Sequence, residues 1–325
     1  MQENTNRRFP IPILLISFNR PENTRAVLNQ IRKVQPIELY MAFDGPRLDK
    51  KGEVEKCNQC RSVVDEVDWD CSVHTLFRQK NVGCGFGPSG AISWAFESAN
   101  QLIILEDDCL PSVSFFYFCE EMLTRYKDDK RVWIVSGLSI HPNSKFFNGK
   151  DYLFSHYAHT WGWATWKNRW NEFDLYMHDV PEFLETGGAL NICDSKSEAN
   201  RINKKLKRVY SSIDEEVKHS WDTQWDYARL KNNSIDIVPR VNLIQNVGAV
   251  GGTHESAGGL ASNLVLDDFQ KEIKHPLFIT RNKPYDLYHY SHYVHPSFFR
   301  LIGRLLMGKA NIWTMLSILL SKLKK

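Results

Sequence analysis

The sequence predicts an α/β fold: a mainly parallel sheet with helices on both faces. Three observations carry that reading. Between Ile11 and Gly137, five short apolar runs alternate with longer amphipathic stretches, the pattern of strand-helix units wound into one sheet. Each of the first four runs is followed by polar, charged or glycine-rich residues, and ligands bind at the carboxyl ends of strands in such sheets. The chain has 325 residues, 42% hydrophobic and 12% aromatic, enough to bury a large core and too apolar for a disordered or fibrous protein.

In order, the apolar runs are IPILLISF (11–18), IELYMAF (37–43), SVHTLF (72–77), QLIILE (101–106) and VWIVSG (132–137). Helices are expected over 21–34, 52–67, 88–100 and 111–127. Beyond Gly137 the regularity is lost. A tryptophan-rich segment, HTWGWATWKNRW (159–170), leads into a charged helical region over 195–219. Then come SWDTQWDYARL (220–230), a strand-like SIDIVPRV and a glycine-rich loop, NVGAVGGTHE (246–255). Tryptophans beside charged groups either form core or stack on the apolar faces of sugar rings.

The formal net charge of +3 hides an asymmetry. Beyond Asp286, the last acidic residue, lie Arg300, Arg304, Lys309, Lys322, Lys324 and Lys325, six positive charges that exceed the whole excess. A slightly acidic body therefore carries a basic, apolar tail, and nucleic acid is not needed to explain the charge. The tail's longest uncharged stretch, 310–321, is shorter than the roughly 20 residues needed to span a bilayer. Its mixture of Leu, Ile and Trp with Lys and Arg suits a helix lying in an anionic membrane surface, or one packed on its own domain or a sister subunit. The polar N-terminus and seven scattered cysteines point to a reduced, cytoplasmic protein associated with the inner face of the membrane. Cys57 and Cys60 form a CxxC that Cys71 and Cys84 could extend to a zinc site, but the uneven spacing favours ordinary thiols.

The strongest chemical signal is Glu106-Asp107-Asp108, directly after the apolar strand LIIL. Three adjacent carboxylates repel one another unless something positive binds, and Mn²⁺ or Mg²⁺ bridging a diphosphate is the natural partner. The plainer reading is that Asp108 caps the next helix, although a cap needs one carboxylate, not three. Gly85-Phe86-Gly87-Pro88-Ser89-Gly90 has the GxGxxG spacing of a dinucleotide site. It lies too far from its strand and in the third unit, which leaves it a role in holding phosphates at a helix N-terminus. Ser17-Phe18-Asn19-Arg20-Pro21 and Asp44-Gly45 end the first two strands, as ordinary turns or as contacts to a nucleotide.

The succession SFNRP, FDGP, LEDDCLPSVSFFYFCEEML, TWGWATW, SWDTQW and GAVGGTH resembles metal-dependent glycosyltransferases of the GT-A fold, with a Rossmann-like sheet. It is most similar to the inverting N-acetylglucosaminyltransferase I family and its bacterial relatives, over residues 11–255. The resemblance implies a nucleotide-sugar-binding half (10–140), an acceptor-binding and catalytic half of the same domain (141–285), and the C-terminal tail (286–325). It implies that Phe18, Arg20, Asp44, Glu106 and Asp107 contact the nucleotide sugar, a UDP-sugar being favoured. Asp108 would coordinate Mn²⁺ or Mg²⁺, with His254 near the diphosphate and the metal. Trp161, Gly162 and Trp163 would lie beside donor and acceptor sugars, and Asp222 would be the catalytic base. The family shows two adjacent acids between tryptophans, whereas here the run is Trp221-Asp222-Thr223-Gln224-Trp225-Asp226, so Asp226 is a rival base. The expected reaction is inverting transfer of a sugar to a hydroxyl of a glycan or lipid-linked acceptor, in surface polysaccharide or glycolipid synthesis. A nucleotidyltransferase on a similar sheet and a non-catalytic carbohydrate-binding protein are the alternatives. The first is disfavoured by FNRPEN where a glycine-rich basic loop belongs.

Overall fold

The computed structural model describes residues 8–248, 264–269 and 272–295. The first half alternates as expected. Strand β1 (Ile13–Ser17) leads into α1 (Pro21–Arg32), β2 (Glu38–Phe43) into α2 (Glu53–Ser62), and β3 (Ser72–Phe77) into α3 (Gly83–Ala95). Strand β4 (Gln101–Glu106) is followed by a short β5 (Cys109–Pro111) before α4 (Val113–Tyr126) and β6 (Val132–Ser136). Pro21 starts α1, where its missing N–H costs no hydrogen bond.

The second half adds β7 (Tyr152–Ser155), β8 (Trp163–Trp166) and the short helices α5 (Lys167–Trp170), α6 (Val180–Glu185) and α7 (Gly188–Ile192). There follow α8 (Lys196–Ser211), α9 (Ile213–His219), α10 (Asp222–Lys231), β9 (Ile235–Pro239), β10 (Ile244–Asn246) and α11 (Lys283–His289). Strands β7, β8 and β9 join those of the first half in one eight-stranded sheet of order β3-β2-β1-β4-β8-β6-β9-β7. Strands β1 to β4 run parallel, β8 and β7 run antiparallel to their neighbours, and β6 pairs parallel with β9. The fold is therefore a mainly parallel, doubly wound α/β sheet.

Alternate residues of each central strand feed opposite cores, as a two-residue period requires. Ile13, Leu15, Ile103 and Leu105 pack under α1 and α4 with Phe115, Phe116 and Met122. Leu14, Leu102 and Ile104 face the other way, toward Ala91, Ile92 and Ala95 of α3. That second core also takes Trp133, Trp163, Trp170, Trp221 and Trp225. Their rings interlock, with Trp170 and Trp225 centroids 5.0 Å apart and Trp163 stacked on Trp221 at 5.8 Å. Of the two sequence readings of the tryptophan segment, core is the one realised for Trp163 and Trp170.

Two buried arginines lock helices to the sheet. Arg169 donates to the carbonyls of Tyr126, Lys127, Asp129 and Val132, closing the carboxyl end of α4. Arg229 of α10 pairs with the fully buried Asp236 of β9. At the end of the body, Asp286 and His289 are each only 1% exposed, and Asp286 accepts hydrogen bonds from Ser155, the His156 N–H and Arg281. Residues 286–293, which the sequence grouped with the basic tail, are thus packed into the body, Tyr293 lying against Leu138 and Ile140. The tail proper lies outside the described residues.

Candidate functional site

The sheet's strand order reverses direction of growth between β1 and β4: β2 and β3 follow β1 on one side, and β4 lies on the other. A crevice forms at such a switch point, outside the carboxyl ends of the two flanking strands. Arg20 follows β1 and Glu106-Asp107-Asp108 ends β4, so the two sequence signals meet there. Arg20 Nη1 donates to Asp107 Oδ1 at 3.0 Å and to Asp108 Oδ2 at 3.1 Å. The Phe18 N–H reaches Asp107 Oδ2 at 3.1 Å.

Asp107 is buried, with both oxygens spent on the end of β1, so it braces the two strands from inside the chain. Burial pushes its carboxyl up to about 6 against the opposing pull of Arg20. Burial pushes Glu106 up to about 8, and the charges of Asp108, Asp107 and Asp222 act in the same direction. Asp108 is more open, its side chain 23% exposed. Among the described residues its Oδ1 accepts only the weak Cys109 thiol, at 3.4 Å. Asp108 does not cap a helix. Strand β5 intervenes, and Ser112 holds the N-cap position of α4.

Strand β5 pairs antiparallel with β10, which brings the following turn beside Asp108. The Val247 N–H donates to the Asp108 carbonyl at 2.8 Å. A Cβ on Gly248 would lie 2.6 Å from Asp108 Oδ2, so only glycine leaves that oxygen its place. Gly248 was not singled out in the sequence, where it is one glycine of several in NVGAVGG. His254 lies outside the described residues.

Gly162 and Trp163 reach the same end because β8 runs antiparallel to β4, pairing Trp163 with Ile104. Gly162 has φ +60°, and a Cβ there would sit 2.3 Å from Ile244 Cδ1. Its carbonyl accepts the Gly137 N–H at 2.8 Å. The Trp163 indole, expected beside donor and acceptor sugars, is 1% exposed and turned into the core by the strand's alternation, so it offers no ring face to a ligand. Trp161 is half-buried and packs against Leu138 and Ile140.

The stacking of Trp221 on Trp163 pins the start of α10 against β8. Asp222, the first residue of α10, accepts the Ser220 hydroxyl and is close enough to Glu106 to raise that carboxyl further. Asp226 is placed differently. It pairs with Arg229 at 2.9 Å and Lys205 at 3.7 Å and lines a separate cavity. Sequence spacing could not separate the two acids, because one helical turn puts them on the same face.

Asp44 ends β2 as expected, but its oxygens are held by its own chain: Gly45 N–H at 2.9 Å, Asn81 Nδ2 at 2.8 Å and the Val82 N–H at 3.2 Å. Its carboxylate fastens the segment before α3, and burial pushes its pKa upward. Residues that sequence reasoning missed surround this corner. The Arg47 guanidinium lies 5.4 Å from the Phe18 ring centroid, and Glu53 accepts from Arg47 and from Asn19. Arg78 donates to the Gly87 carbonyl at 2.9 Å.

The GxGxxG run lies inside α3 and forms no phosphate loop. Its glycines permit close packing. A Cβ on Gly85 would fall 1.7 Å from the Val217 carbonyl oxygen of α9, and one on Gly90 would fall 2.8 Å from Arg78 Nη2. Cys57 and Cys60 are buried thiols of α2, and Thr24 donates to Cys60 Sγ at 3.7 Å.

Among the described residues, no three His, Cys, Asp or Glu side chains form a group that could hold a metal ion. Small hard cations are commonly held by one or two carboxylates with substrate phosphates and water completing the shell, so a full protein cage is not needed. Asp108 meets that lesser requirement: an accessible carboxylate with one oxygen scarcely engaged, beside a glycine whose lack of a side chain leaves it room.

No family model and no curated protein matches the sequence. Among solved structures, S. aureus TarS 1-349 shares 10% identity at a TM-score of 0.36, over 51% of this chain and 49% of that one. HddC from Yersinia pseudotuberculosis shares 10% identity at a TM-score of 0.33, over 53% of this chain and 86% of that one. The chain thus spans about half the length of the TarS fragment. These likenesses are partial overlaps of fold.

Proposed function

We propose that the protein is a metal-dependent glycosyltransferase. It moves a sugar, with inversion, from a nucleotide-sugar donor (a UDP-sugar is favoured) to a hydroxyl of a glycan or lipid-linked acceptor. One observation supports this above the others: Arg20, the three carboxylates of β4, Gly162 and Asp222 converge at the carboxyl end of the sheet, at its switch point.

The residues divide the work. Phe18 and Arg20 flank the crevice on the β1 side, where they would contact the nucleotide of the donor. Asp108 would hold Mn²⁺ or Mg²⁺ together with that diphosphate, and His254 is proposed to assist there. A divalent cation bound at this point supplies positive charge to offset the charge on a departing diphosphate. Asp107 keeps β1 and β4 in register under the site. Asp222 accepts the proton of the acceptor hydroxyl as the oxygen attacks the anomeric carbon, a general-base role worth roughly 10²–10⁴-fold. Attack opposite the leaving diphosphate inverts the configuration.

Nucleotidyl transfer is the weaker reading. The turn after β1 passes straight into α1 at Pro21, and its one cation, Arg20, is held by Asp107 and Asp108. Incubation with a panel of nucleotide sugars and Mn²⁺ tests the proposal. Slow release of free sugar and nucleotide diphosphate, stopped by a chelator, supports it; release of pyrophosphate from a nucleoside triphosphate and sugar phosphate would replace it with nucleotidyl transfer.

Among the described residues, no helix is long and apolar enough to cross a membrane. The basic, apolar segment 298–325 is proposed to rest on the anionic inner face of the membrane, beside a lipid-linked acceptor. Co-sedimentation with phosphatidylglycerol vesicles that survives deletion of 298–325 would contradict this.

A further inference from the structure

Helix α8 concentrates positive charge. Its sixteen residues carry Lys196, Arg201, Lys204, Lys205, Lys207 and Arg208, all exposed, although the whole chain has a formal net charge of only +3. The one acid of the helix, Glu198, is buried and accepts the Tyr157 hydroxyl and the Asp194 N–H, so it faces inward. Arg208 pairs with Glu216 and Lys205 reaches Asp226 at 3.7 Å. Lys196, Arg201, Lys204 and Lys207 form no ion pair among the described residues. Like charges four apart on a helix repel, as at Arg201 and Lys205 or Lys204 and Arg208, and a surface of negative charge relieves that repulsion.

A mainly apolar pocket lies along the same helix. It has a volume of about 270 Å³, and Ile202 and Leu206 of α8, Ile192 of α7, Leu230 of α10 and Val294 line it. Arg201 and Lys205, one turn apart on α8, line it too and are exposed, so they stand at its mouth. Asp226, the acid in that wall, is already answered by Arg229 and Lys205. Tyr293 and Val294 belong to the wall as well, so the basic, apolar segment 298–325 follows the pocket by only a few residues of chain.

We infer that this face binds an anionic membrane phospholipid, its headgroup phosphate between Arg201 and Lys205 and one acyl chain in the pocket, with the remaining α8 cations on neighbouring headgroups. Charge and apolar lining match the two ends of such a molecule, whereas a nucleic acid would meet the cations and not the pocket. The contact holds whether or not the protein transfers a sugar. It joins the one proposed for segment 298–325, and stable anchoring commonly takes two signals, neither sufficient alone.

Calorimetric titration of the full chain with dihexanoyl-phosphatidylglycerol, below its micelle concentration, tests this against two controls. Dihexanoyl-phosphatidylcholine has the chains without net charge, and glycerol 1-phosphate has the charge without a chain. The phosphatidylglycerol should bind at least tenfold more tightly than either and should slow hydrogen exchange over α8. Arg201→Gln with Lys205→Gln should remove the preference over phosphatidylcholine and leave thermal unfolding within a few degrees of the parent, since both side chains are exposed. Adding Lys204→Gln and Lys207→Gln should lower partitioning of the full chain onto phosphatidylglycerol vesicles at least tenfold. Absent binding of the phosphatidylglycerol, binding no tighter than either control, a preference that survives the double variant, or vesicle partitioning that the fourfold variant leaves unchanged overturns the inference. So does an oligonucleotide that binds through the same four residues more tightly than the vesicles do.

Discussion

A single nitrogen of Arg20 is shared between Asp107 at 3.0 Å and Asp108 at 3.1 Å, joining the carboxyl ends of β1 and β4. This is the cation that makes a run of three acids tolerable in the free protein. Removing it leaves Asp107, 9% exposed at its side chain, facing Asp108 and Glu106 with no countercharge. Arg20→Ala should lower stability by about 1–3 kcal/mol at pH 7.5 in urea unfolding. Adding Asp107→Asn should recover part of the loss, which separates charge repulsion from lost packing.

The pH dependence of stability follows from Glu106. Its folded-state carboxyl lies near 8, above its ordinary range, so the folded protein binds more protons than the unfolded one between those values. The resulting cost is absent below about pH 4, grows as pH rises through the shifted value, and is complete above it. Glu106→Gln should therefore match the parent at pH 4 and exceed it at pH 8.5 by about 1–3 kcal/mol without metal. Urea titrations at the two pH values measure the difference.

The two candidate bases should separate cleanly. Asp222→Asn should bind donor as before and lose roughly 10²–10⁴-fold in transfer rate. Asp226→Asn removes a partner of Arg229 that Asp236 also holds, so it should cost stability of about 1 kcal/mol and leave the chemical step largely intact. Single-turnover assays with each variant decide between them, and a collapse confined to Asp226→Asn would reverse the assignment.

Gly248→Ala is the most local probe of the cluster. Its methyl would fall 2.6 Å from Asp108 Oδ2 and 2.8 Å from Asp108 Cβ, so the carboxylate must move. Donor affinity in Mn²⁺ should fall at least tenfold by calorimetry, with thermal stability changed by only a few degrees.

How far the sequence reveals all this depends on the range of the interactions involved. The strands β1, β2, β4, β6 and β9 are legible because burial on both faces demands apolar runs such as LIIL. The meeting of Arg20 with the acids is legible as position, since both follow strands whose carboxyl ends must share an edge. Four things are not legible. The glycines of the GxGxxG run satisfy a motif locally, yet Gly85 answers the Val217 backbone of α9, more than a hundred residues away in sequence, and Gly90 answers Arg78. Trp163 was read beside a sugar, but strand alternation sends it into the core while Gly162 next to it stays at the edge. Arg47 and Glu53 sit in a polar stretch that reads as an ordinary turn, and only folding brings them over Phe18 and Asn19. Asp44 was placed at the right strand end, but no sequence rule indicates that Asn81 and Val82 already occupy its oxygens.

Under the proposed function, Asp108 and a divalent cation together bind the diphosphate of a nucleotide sugar. Calorimetric titration of UDP-sugars into the full chain with Mn²⁺, repeated with a chelator and with Asp108→Ala, tests it most directly. Binding of at least one donor that needs Mn²⁺ and is lost in Asp108→Ala is the predicted result. Donor binding that is indifferent to both the chelator and the substitution would contradict the account.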